Sequence, residues 1–144
     1  MAKNLVFLDA DVLISSLYSS KGASYEIVRN PKIKKITSIA VQEEVLGVIE
    51  RKFKINTKKT KLGFKNCPIK SLGINKQEIL KKYSGYVVHQ MDSHVIAGAH
   101  ILRANFLLTF NTKHFLVDKI KNNLGIIVLE PGFFLQYLRS RRGS

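Results

Sequence analysis

Two aspartates, Asp9 and Asp11, follow directly on a short apolar segment near the start of the chain, in the stretch VFLDADVLISS. Residues 5–8 have the composition of a buried strand, and an apolar run resumes after the aspartates, which is typical of a strand that passes into a helix. Carboxylates at such a place are costly to desolvate unless they are paired, protonated or metal-bound. The stretch therefore predicts either a helix cap or a bound cation at the end of the first strand.

Other acidic residues also lie beside apolar segments. Glu43 and Glu44 fall in a helix predicted over residues 38–53, and Asp92 opens the apolar stretch DSHVIAGAHILRA, which is predicted to be a mostly buried helix. Acids near strand ends and helix starts can converge in a parallel α/β fold, and clusters of carboxylate oxygens suit Mg²⁺ or Mn²⁺. We therefore expect Asp9, Asp92 and one of the two glutamates to meet.

The rest of the chain alternates between predicted strands and helices. This alternation predicts a three-layer α/β fold with a parallel sheet, in which ligands bind at the carboxyl ends of the strands. Asp9 and Thr109 fall at such ends. The predicted strands cover residues 5–8, 35–37, 105–110 and 125–130, and the predicted helices cover residues 12–18, 24–30, 38–53, 76–83, 92–104 and a closing segment from 131, with a helix and loop in the basic stretch up to 73.

Length and charge limit the possible functions. The 144 residues predict a single domain over residues 1–138 with a basic flexible tail over 139–144, and the single cysteine, Cys67, excludes an internal disulfide. With no signal-peptide pattern or long apolar span, the expectation is a cytoplasmic protein that does not enter membranes. The formal charge of +14, from 24 Lys and Arg against 10 Asp and Glu, favours a polyanionic partner, above all nucleic acid.

Three ordered motifs resemble the PIN-domain family. These are VFLDADVLISSL, TSIAVQEEVLGVIERKF and DSHVIAGAHILRANFLLTFNTKHF, and together they cover nearly the whole chain except its basic middle. The resemblance implies a Rossmann-like sheet and a metal-dependent nuclease, usually acting on RNA. Many similar proteins are toxins of VapBC-type toxin–antitoxin pairs, so an antitoxin partner and a homodimer are further expectations.

Matched residue by residue, Asp9 corresponds to the first acid of the family and Asp92 to the third. Glu44 fits the second acid better than Glu43, because it shares a helical face with apolar neighbours. Asn111 stands where relatives often carry a fourth acid, which leaves open whether one metal or two would bind. The resemblance thus implies Asp9, Glu44 and Asp92 as metal ligands for Mg²⁺ or Mn²⁺, with Thr109 and Asn111 completing the catalytic set. Asp11 is interpreted as a helix-start residue rather than a ligand.

The basic stretch RKFKINTKKTKLGFKNCPIK holds eight basic residues and no acid. Its charges would follow a nucleic-acid backbone without distinguishing sequences, and the interleaved Phe53 and Phe64, or Tyr83 and Tyr86, could stack on unpaired bases, which favours single-stranded RNA. The predicted nucleic-acid contacts are Arg51, Lys52, Lys54, Lys58, Lys59 and Lys61.

Other interpretations stay open for the same residues. A strand followed by Asp-x-Asp also resembles the haloacid dehalogenase family, although Leu13 and the lack of a downstream paired-aspartate motif argue against it. A PIN domain that binds RNA or a protein without cutting would suit the neutral Asn111. In purely structural terms, Asp9 and Asp92 would be helix caps, Asn111 would cap the turn after it, and Thr109 would be an ordinary strand residue.

Overall fold

The computed structural model describes residues 4–54 and 66–142. In these residues the strands form one five-stranded sheet in the order β3-β2-β1-β4-β5, with every pair parallel. The predicted contacts Lys58, Lys59 and Lys61, and also Phe64, lie outside the described residues. The strands are β1 (Leu5–Leu8), β2 (Lys34–Ser38), β3 (Ile69–Lys70), β4 (Phe106–Leu108) and β5 (Ile127–Leu129).

Helices connect the strands and cover the sheet. Parallel strands are joined by right-handed crossovers in nearly all proteins. Because the strand order runs from β1 toward β3 in one direction and from β4 to β5 in the other, these crossovers place helices on both faces of the sheet. The predicted three-layer parallel α/β fold is therefore confirmed. The helices are α1 (Ala10–Tyr18), α2 (Ala23–Arg29), α3 (Ile39–Phe53), α4 (Lys76–Tyr83), α5 (Ser93–Ile101), α6 (Val117–Leu124) and α7 (Pro131–Arg142), with single 3₁₀ turns at Ser84–Tyr86, Gln90–Asp92 and Thr112–His114.

Local sequence signals explain where several helices begin and end. The Ser38 hydroxyl accepts a hydrogen bond from the Val41 amide at 3.2 Å and so caps α3, as its position before the apolar periodicity predicts. The Asn75 side chain caps α4 in the same way, through the Glu78 amide at 2.9 Å. Gly125 ends α6 in the left-handed conformation that glycine adopts without steric cost.

The sequence predictions miss two elements. The short strand β3 pairs Ile69 with Thr37 of β2, where the sequence predicts only a helix and a loop; two residues are too few to show an alternating pattern. Helix α6 lies between two predicted strands, where the sequence predicts no element. Helix α7 continues through Arg142, into the segment predicted as a tail. No helix in the described ranges is long and apolar enough to cross a membrane.

The order of the strands reverses between β1 and β4, which lie side by side at the centre of the sheet. β1 pairs with β2 on one edge and with β4 on the other, so the crossovers that leave these two central strands run in opposite directions. Open α/β sheets bind ligands in the crevice beyond the carboxyl ends of their strands at such a switch point. The residues directly after β1 and β4 are Asp9 and Thr109.

A close helix–sheet contact holds α5 against β1. A Cβ atom on Gly98 would lie 2.5 Å from Cζ and 2.6 Å from Cε2 of Phe7, whose side chain is fully buried. Only a residue without a side chain allows this approach, because real Cβ atoms do not come so near to a packed ring. This contact fixes the distance between α5 and the sheet. It thereby also fixes the position of Asp92, which directly precedes α5.

We predict that Gly98→Ala destabilises the protein even though alanine is the better helix former. Overpacking against the Phe7 ring should lower the free energy of unfolding by about 1–3 kcal/mol, more than the gain in helix propensity. Urea unfolding followed by circular dichroism measures this change.

Gly47→Ala is the matched control within α3. The nearest atom to its added Cβ would be Arg51 Nη1 at 3.5 Å, an ordinary contact, so this substitution should stabilise the protein by about 0.5–1 kcal/mol. Equal stability of Gly98→Ala and wild type would contradict the proposed packing constraint.

Candidate functional site

Asp9 lies at the end of β1 and is buried. Its amide continues the ladder by donating to Leu108 O at 3.1 Å, while its Oδ1 accepts from the Ala10 amide at 2.8 Å and so caps α1. Its Oδ2 accepts from the Thr109 hydroxyl at 2.9 Å. Asp9 is therefore a cap, as one sequence interpretation has it, and at the same time it is joined to the neighbouring strand end.

Thr109 is fully buried directly after β4 and connects three groups of the site. Its hydroxyl lies 2.9 Å from Asp9 Oδ2 and 3.3 Å from Asp11 Oδ2, and it accepts a hydrogen bond from the Asn111 amide at 3.1 Å. A hydroxyl carries one proton, so it donates to one carboxylate at a time, and the shorter contact is the one to Asp9. Thr109 thus orients an acidic side chain rather than only occupying a strand.

Asp11 belongs to the same group, although the sequence analysis favours a helix-start role for it over a role as a ligand. It stands in the first turn of α1, but its Oδ2 reaches across to the loop after β4, where it accepts from the Phe110 amide at 3.0 Å and from Asn111 Nδ2 at 3.1 Å. The side chain of Asn111 therefore holds Asp11 and does not cap the turn that follows it.

The electrostatics of the two aspartates show an excess of negative charge. Burial, together with the charges of Asp11 and Glu44, raises the pKa of Asp9 from 3.8 to about 7, although the hydrogen bonds from Ala10 and Thr109 act in the opposite direction. Burial also raises the pKa of Asp11, with a smaller contribution from Glu44. Burial is the main cause of both shifts, and the nearby negative charges add to it.

Glu44 and Asp92 each contact a histidine. Glu44 Oε1 lies 3.5 Å from His94 Nε2, and Asp92 Oδ2 lies 3.5 Å from His114 Nδ1. Of the two neighbouring glutamates on α3, Glu44 is the one whose charge acts on the aspartates. The side chain of Asp92 makes no capping hydrogen bond to α5, so a purely structural role as a helix cap does not account for it.

The donor set matches the chemistry of a hard divalent cation, although the side chains are not gathered around one point. Within residues 4–54 and 66–142, no three or more His, Cys, Asp or Glu side chains are close enough together to hold a metal ion. However, Asp11 Oδ1 is buried and has no hydrogen-bond partner within those same ranges, and a buried carboxylate oxygen without a partner is costly unless a proton or cation reaches it. Oxygen ligands with mutual repulsion are the usual setting for Mg²⁺ or Mn²⁺.

The predicted nucleic-acid contacts that the structure describes are Arg51, Lys52 and Lys54. All three are exposed in the last turn of α3 or directly after it. Arg51 follows Glu44 by seven residues, which is two helical turns and roughly 10 Å along the same face. The exposed basic side chains therefore stand at the end of α3, about two helical turns from Glu44.

The strand order and the position of the acids define a PIN-like α/β fold, as the sequence resemblance predicts. Solved structures with this fold include VapBC2 from Rickettsia felis bound to a DNA fragment from their promoter, with a TM-score of 0.59 and 13% identity over 86% of this chain and 96% of that chain. A toxin–antitoxin complex from Klebsiella pneumoniae has a TM-score of 0.58 and 18% identity over 85% and 95% of the two chains. No family model and no curated protein matches the sequence.

The pKa of Asp9 leads to a prediction for stability in metal-free solution. With EDTA present, raising the pH from about 5 to about 8 should lower the free energy of unfolding by about 1–3 kcal/mol more in the wild type than in Asp9→Asn. In this range the unfolded chain, with its ordinary pKa of 3.8, has already lost the proton that the folded protein keeps until about 7. The proton stabilises the folded state fully below the unfolded pKa of 3.8. This stabilisation is lost as the pH rises through the folded pKa of about 7.

Urea unfolding at several pH values measures this difference. Asp118→Asn, which changes an exposed aspartate in the first turn of α6, is the control and should keep the wild-type pH dependence. If wild type and Asp9→Asn lose stability in parallel with rising pH, Asp9 does not have the raised pKa.

Proposed function

We propose that this protein is a divalent-metal-dependent nuclease that cleaves single-stranded RNA internally, and that it is the toxin of a toxin–antitoxin pair. The observation that carries the proposal is the pair of carboxylates, Asp9 and Asp11, that meet at the Thr109 hydroxyl at the switch point of a PIN-like sheet, in a chain with a formal charge of +14. A basic surface attracts a phosphodiester backbone, whereas an acidic pocket within it repels phosphate unless a cation is bound.

The expected metal ligands are Asp9, Glu44 and Asp92, and the unpartnered Oδ1 of Asp11 adds a fourth carboxylate oxygen. A bound Mg²⁺ or Mn²⁺ would supply charge neutralisation and an activated water for in-line attack on a phosphodiester. Thr109 keeps Asp9 in place through its hydroxyl. Asn111 holds Oδ2 of Asp11 and leaves the other oxygen of that carboxylate available.

His94 and His114 stand beside the two less buried acids, Glu44 and Asp92. Each histidine is placed to orient its carboxylate through a ring nitrogen, as partners of ligating groups do in metal sites. The ring of His114 also packs edge-on against His89, with the centroids 5.2 Å apart, which restricts how far it can turn. Closing the site around a cation requires Glu44 and Asp92 to turn toward Asp9.

RNA binding is supported by the distribution of charge. Arg51, Lys52 and Lys54 extend from Glu44 along the end of α3 as an exposed basic surface that would neutralise phosphates on either side of the cleavage point. Binding of this kind weakens steeply with salt and does not depend on base sequence. The role of a toxin, with an antitoxin as its protein partner, is supported by the two toxin–antitoxin structures that share the fold.

A second candidate is a PIN-like domain that binds RNA without cutting it. Two observations favour this alternative: the described side chains form no ready-made metal group, and the neutral Asn111 makes a hydrogen bond to Asp11 where a fourth acid would add charge. Dependence of cleavage on a divalent cation separates the two candidates.

We predict that the wild-type protein cleaves a 5′-labelled single-stranded RNA of mixed sequence in Mn²⁺ or Mg²⁺, and that EDTA or Asp9→Asn reduces the rate at least about 100-fold. Products should carry a 5′-phosphate and a 3′-hydroxyl. The first measurement is the cleavage rate on denaturing gels. Lys113→Gln, which neutralises an exposed cation outside the carboxylate group, is the matched control and should cleave at close to the wild-type rate.

A thermal unfolding series should accompany the cleavage assay. Mn²⁺ should raise the Tm of the wild type but not of Asp9→Asn, because an ion that binds only the folded state stabilises it. Folded wild-type protein that binds RNA in a salt-sensitive manner, yet neither responds to Mn²⁺ nor cleaves, would establish the non-catalytic alternative.

We also predict that the Thr109 hydroxyl matters for activity more than for stability. Thr109→Val should slow cleavage by roughly 10-fold or more, because Asp9 loses the donor that orients it, at a cost in unfolding free energy of about 1–3 kcal/mol. The comparison variant is Thr37→Val, at the end of β2, where an equally buried hydroxyl donates to Leu8 O at 2.8 Å and touches no carboxylate.

Cleavage rates and urea unfolding of the two variants are measured side by side. Thr37→Val should lose a similar amount of stability and keep its cleavage rate. A similar loss of rate in both variants would mean that the Thr109 hydroxyl acts only by stabilising the fold.

A further inference from the structure

A cleft lined by two exposed phenylalanines lies beside the carboxylate site. It has a volume of about 330 Å³ and opens where the loops after β4 and β5 meet the start of α2 and the first turns of α7. The sheet contributes to this cleft through the carboxyl ends of its strands, where parallel α/β folds bind ligands. The lining residues are Ala23, Phe110, Glu130, Gly132, Phe133 and Gln136.

Phe110 joins the cleft to the carboxylate site. It directly follows Thr109, and its amide donates to Asp11 Oδ2 at 3.0 Å. Its side chain is 43% exposed and lines the cleft. A ligand in the cleft therefore contacts the same loop that holds Asp11.

The second phenylalanine, Phe133, stands on a firmly packed first turn of α7. Phe134 beside it is 1% exposed and packs edge-on against Phe106 of β4, with the ring centroids 5.1 Å apart. The Phe134 amide also donates to Glu130 O at 3.1 Å, which closes the turn. Successive side chains of a helix point about 100° apart, so the burial of Phe134 leaves Phe133 facing outward, 56% exposed.

The apolar surface of the cleft is aromatic rather than aliphatic. Large apolar side chains that are exposed in one cleft indicate an interaction site. Among the lining residues that the structure describes, none is Leu, Ile, Val or Met, so the two phenylalanine rings supply the large apolar faces. Flat aromatic faces on a basic protein are typical of surfaces on which unpaired nucleobases stack.

Charge decides which part of a nucleic acid enters the cleft. Glu130 is half-buried in the lining, and within residues 4–54 and 66–142 its side chain makes no hydrogen bond or ion pair. A carboxylate whose charge is not compensated repels phosphate but not a neutral base. The cleft therefore favours the base of a nucleotide over its phosphate.

Basic side chains adjoin the cleft along α2. Lys21 is exposed two residues before Ala23, and Arg29 is exposed at the end of the helix. Both line a wider groove of about 560 Å³. The groove also contains Glu26, but its carboxylate is paired with Arg139 at 3.5 Å. Positive charge is therefore available for the phosphates that flank a base in the cleft.

We propose that this cleft stacks one base of a single-stranded RNA against Phe110 and Phe133, next to the phosphodiester held at the carboxylate site. The inference rests on the proposed function and deepens it, because it assigns the part of the substrate that the cleft receives. Stacking of this kind accepts any base, since every base has a π face. From the cleft the strand continues along α2, with its phosphates toward Lys21 and Arg29.

A fluorescence probe tests the inference in EDTA and low salt, with no divalent cation present for cleavage. The chain contains no tryptophan, so Phe133→Trp introduces a single one, whose fluorescence a stacked base should quench. Hexa-adenylate should quench it, whereas a ribose–phosphate hexamer of the same length without bases should not. Asn122→Trp, at an exposed position in the last turn of α6, is the matched control and should respond to neither.

Two further substitutions measure what the ring contributes to binding. Phe133→Ala should weaken the binding of hexa-adenylate by about 10-fold, the effect of losing one base–aromatic contact, and leave the binding of the base-free hexamer unchanged. Phe133→Leu should lose nearly as much, because leucine is apolar but has no flat π face. The fluorescence anisotropy of end-labelled hexamers measures binding, and circular dichroism checks the folding of each variant.

Two results would overturn the inference: equal quenching by the two hexamers, or wild-type affinity of Phe133→Ala or Phe133→Leu for hexa-adenylate. A leucine-rich peptide that quenches Phe133→Trp where bound hexa-adenylate does not would identify the cleft as a protein-docking site and would also overturn it.

Failure of the nuclease is distinguishable from failure of this inference. Stacking in EDTA without cleavage in Mn²⁺ would remove the catalytic proposal and keep the stacking cleft. Cleavage in Mn²⁺ with RNA binding that neither quenches Phe133→Trp nor depends on the ring would remove only the stacking cleft. The absence of any RNA binding would remove both.

Discussion

The candidate site depends on the parallel pairing of β1 with β4. This pairing places Asp9 beside Thr109, although the two residues are 100 positions apart, and brings the loop after β4 within reach of Asp11 on α1. The hydrogen-bond ladder between β1 and β4 extends into the site, because the Asp9 amide donates to Leu108 O. Helix α5 reinforces the arrangement through the contact of Gly98 with Phe7 on β1. The acids are therefore positioned by the centre of the sheet and not by flexible loops.

Neutral donors, rather than basic side chains, hold Asp9 and Asp11 in place. Backbone amides, one hydroxyl and the Asn111 amide group orient these carboxylates without neutralising their charge, and burial raises the pKa of both. The basic residues lie on the surface around the site instead. This separation leaves the negative charge available to a cation, and the positive surface available to a polyanion.

The sequence predicts the layer architecture and most of the elements, because the apolar runs and caps such as Ser38 are local signals. It also predicts that Asp9 and Thr109 lie at strand ends. It misses the role of Asp11, since a helix-start aspartate looks the same whether or not its side chain reaches another strand. The contacts of His94 and His114 with Glu44 and Asp92 have no sequence signal, because each joins residues that are distant in the chain. The two-residue strand β3 is too short to leave a pattern.

The distance in sequence between Asp9 and Thr109 also matters during synthesis of the chain. A ribosome must complete β4 and release the segment up to Asn111 before the group around Asp9 and Asp11 can form. Until then the nascent chain has the acids of β1, α1 and α3 without the strand that organises them. Whatever chemistry the site performs is therefore withheld from nascent chains that have not yet released the segment after β4.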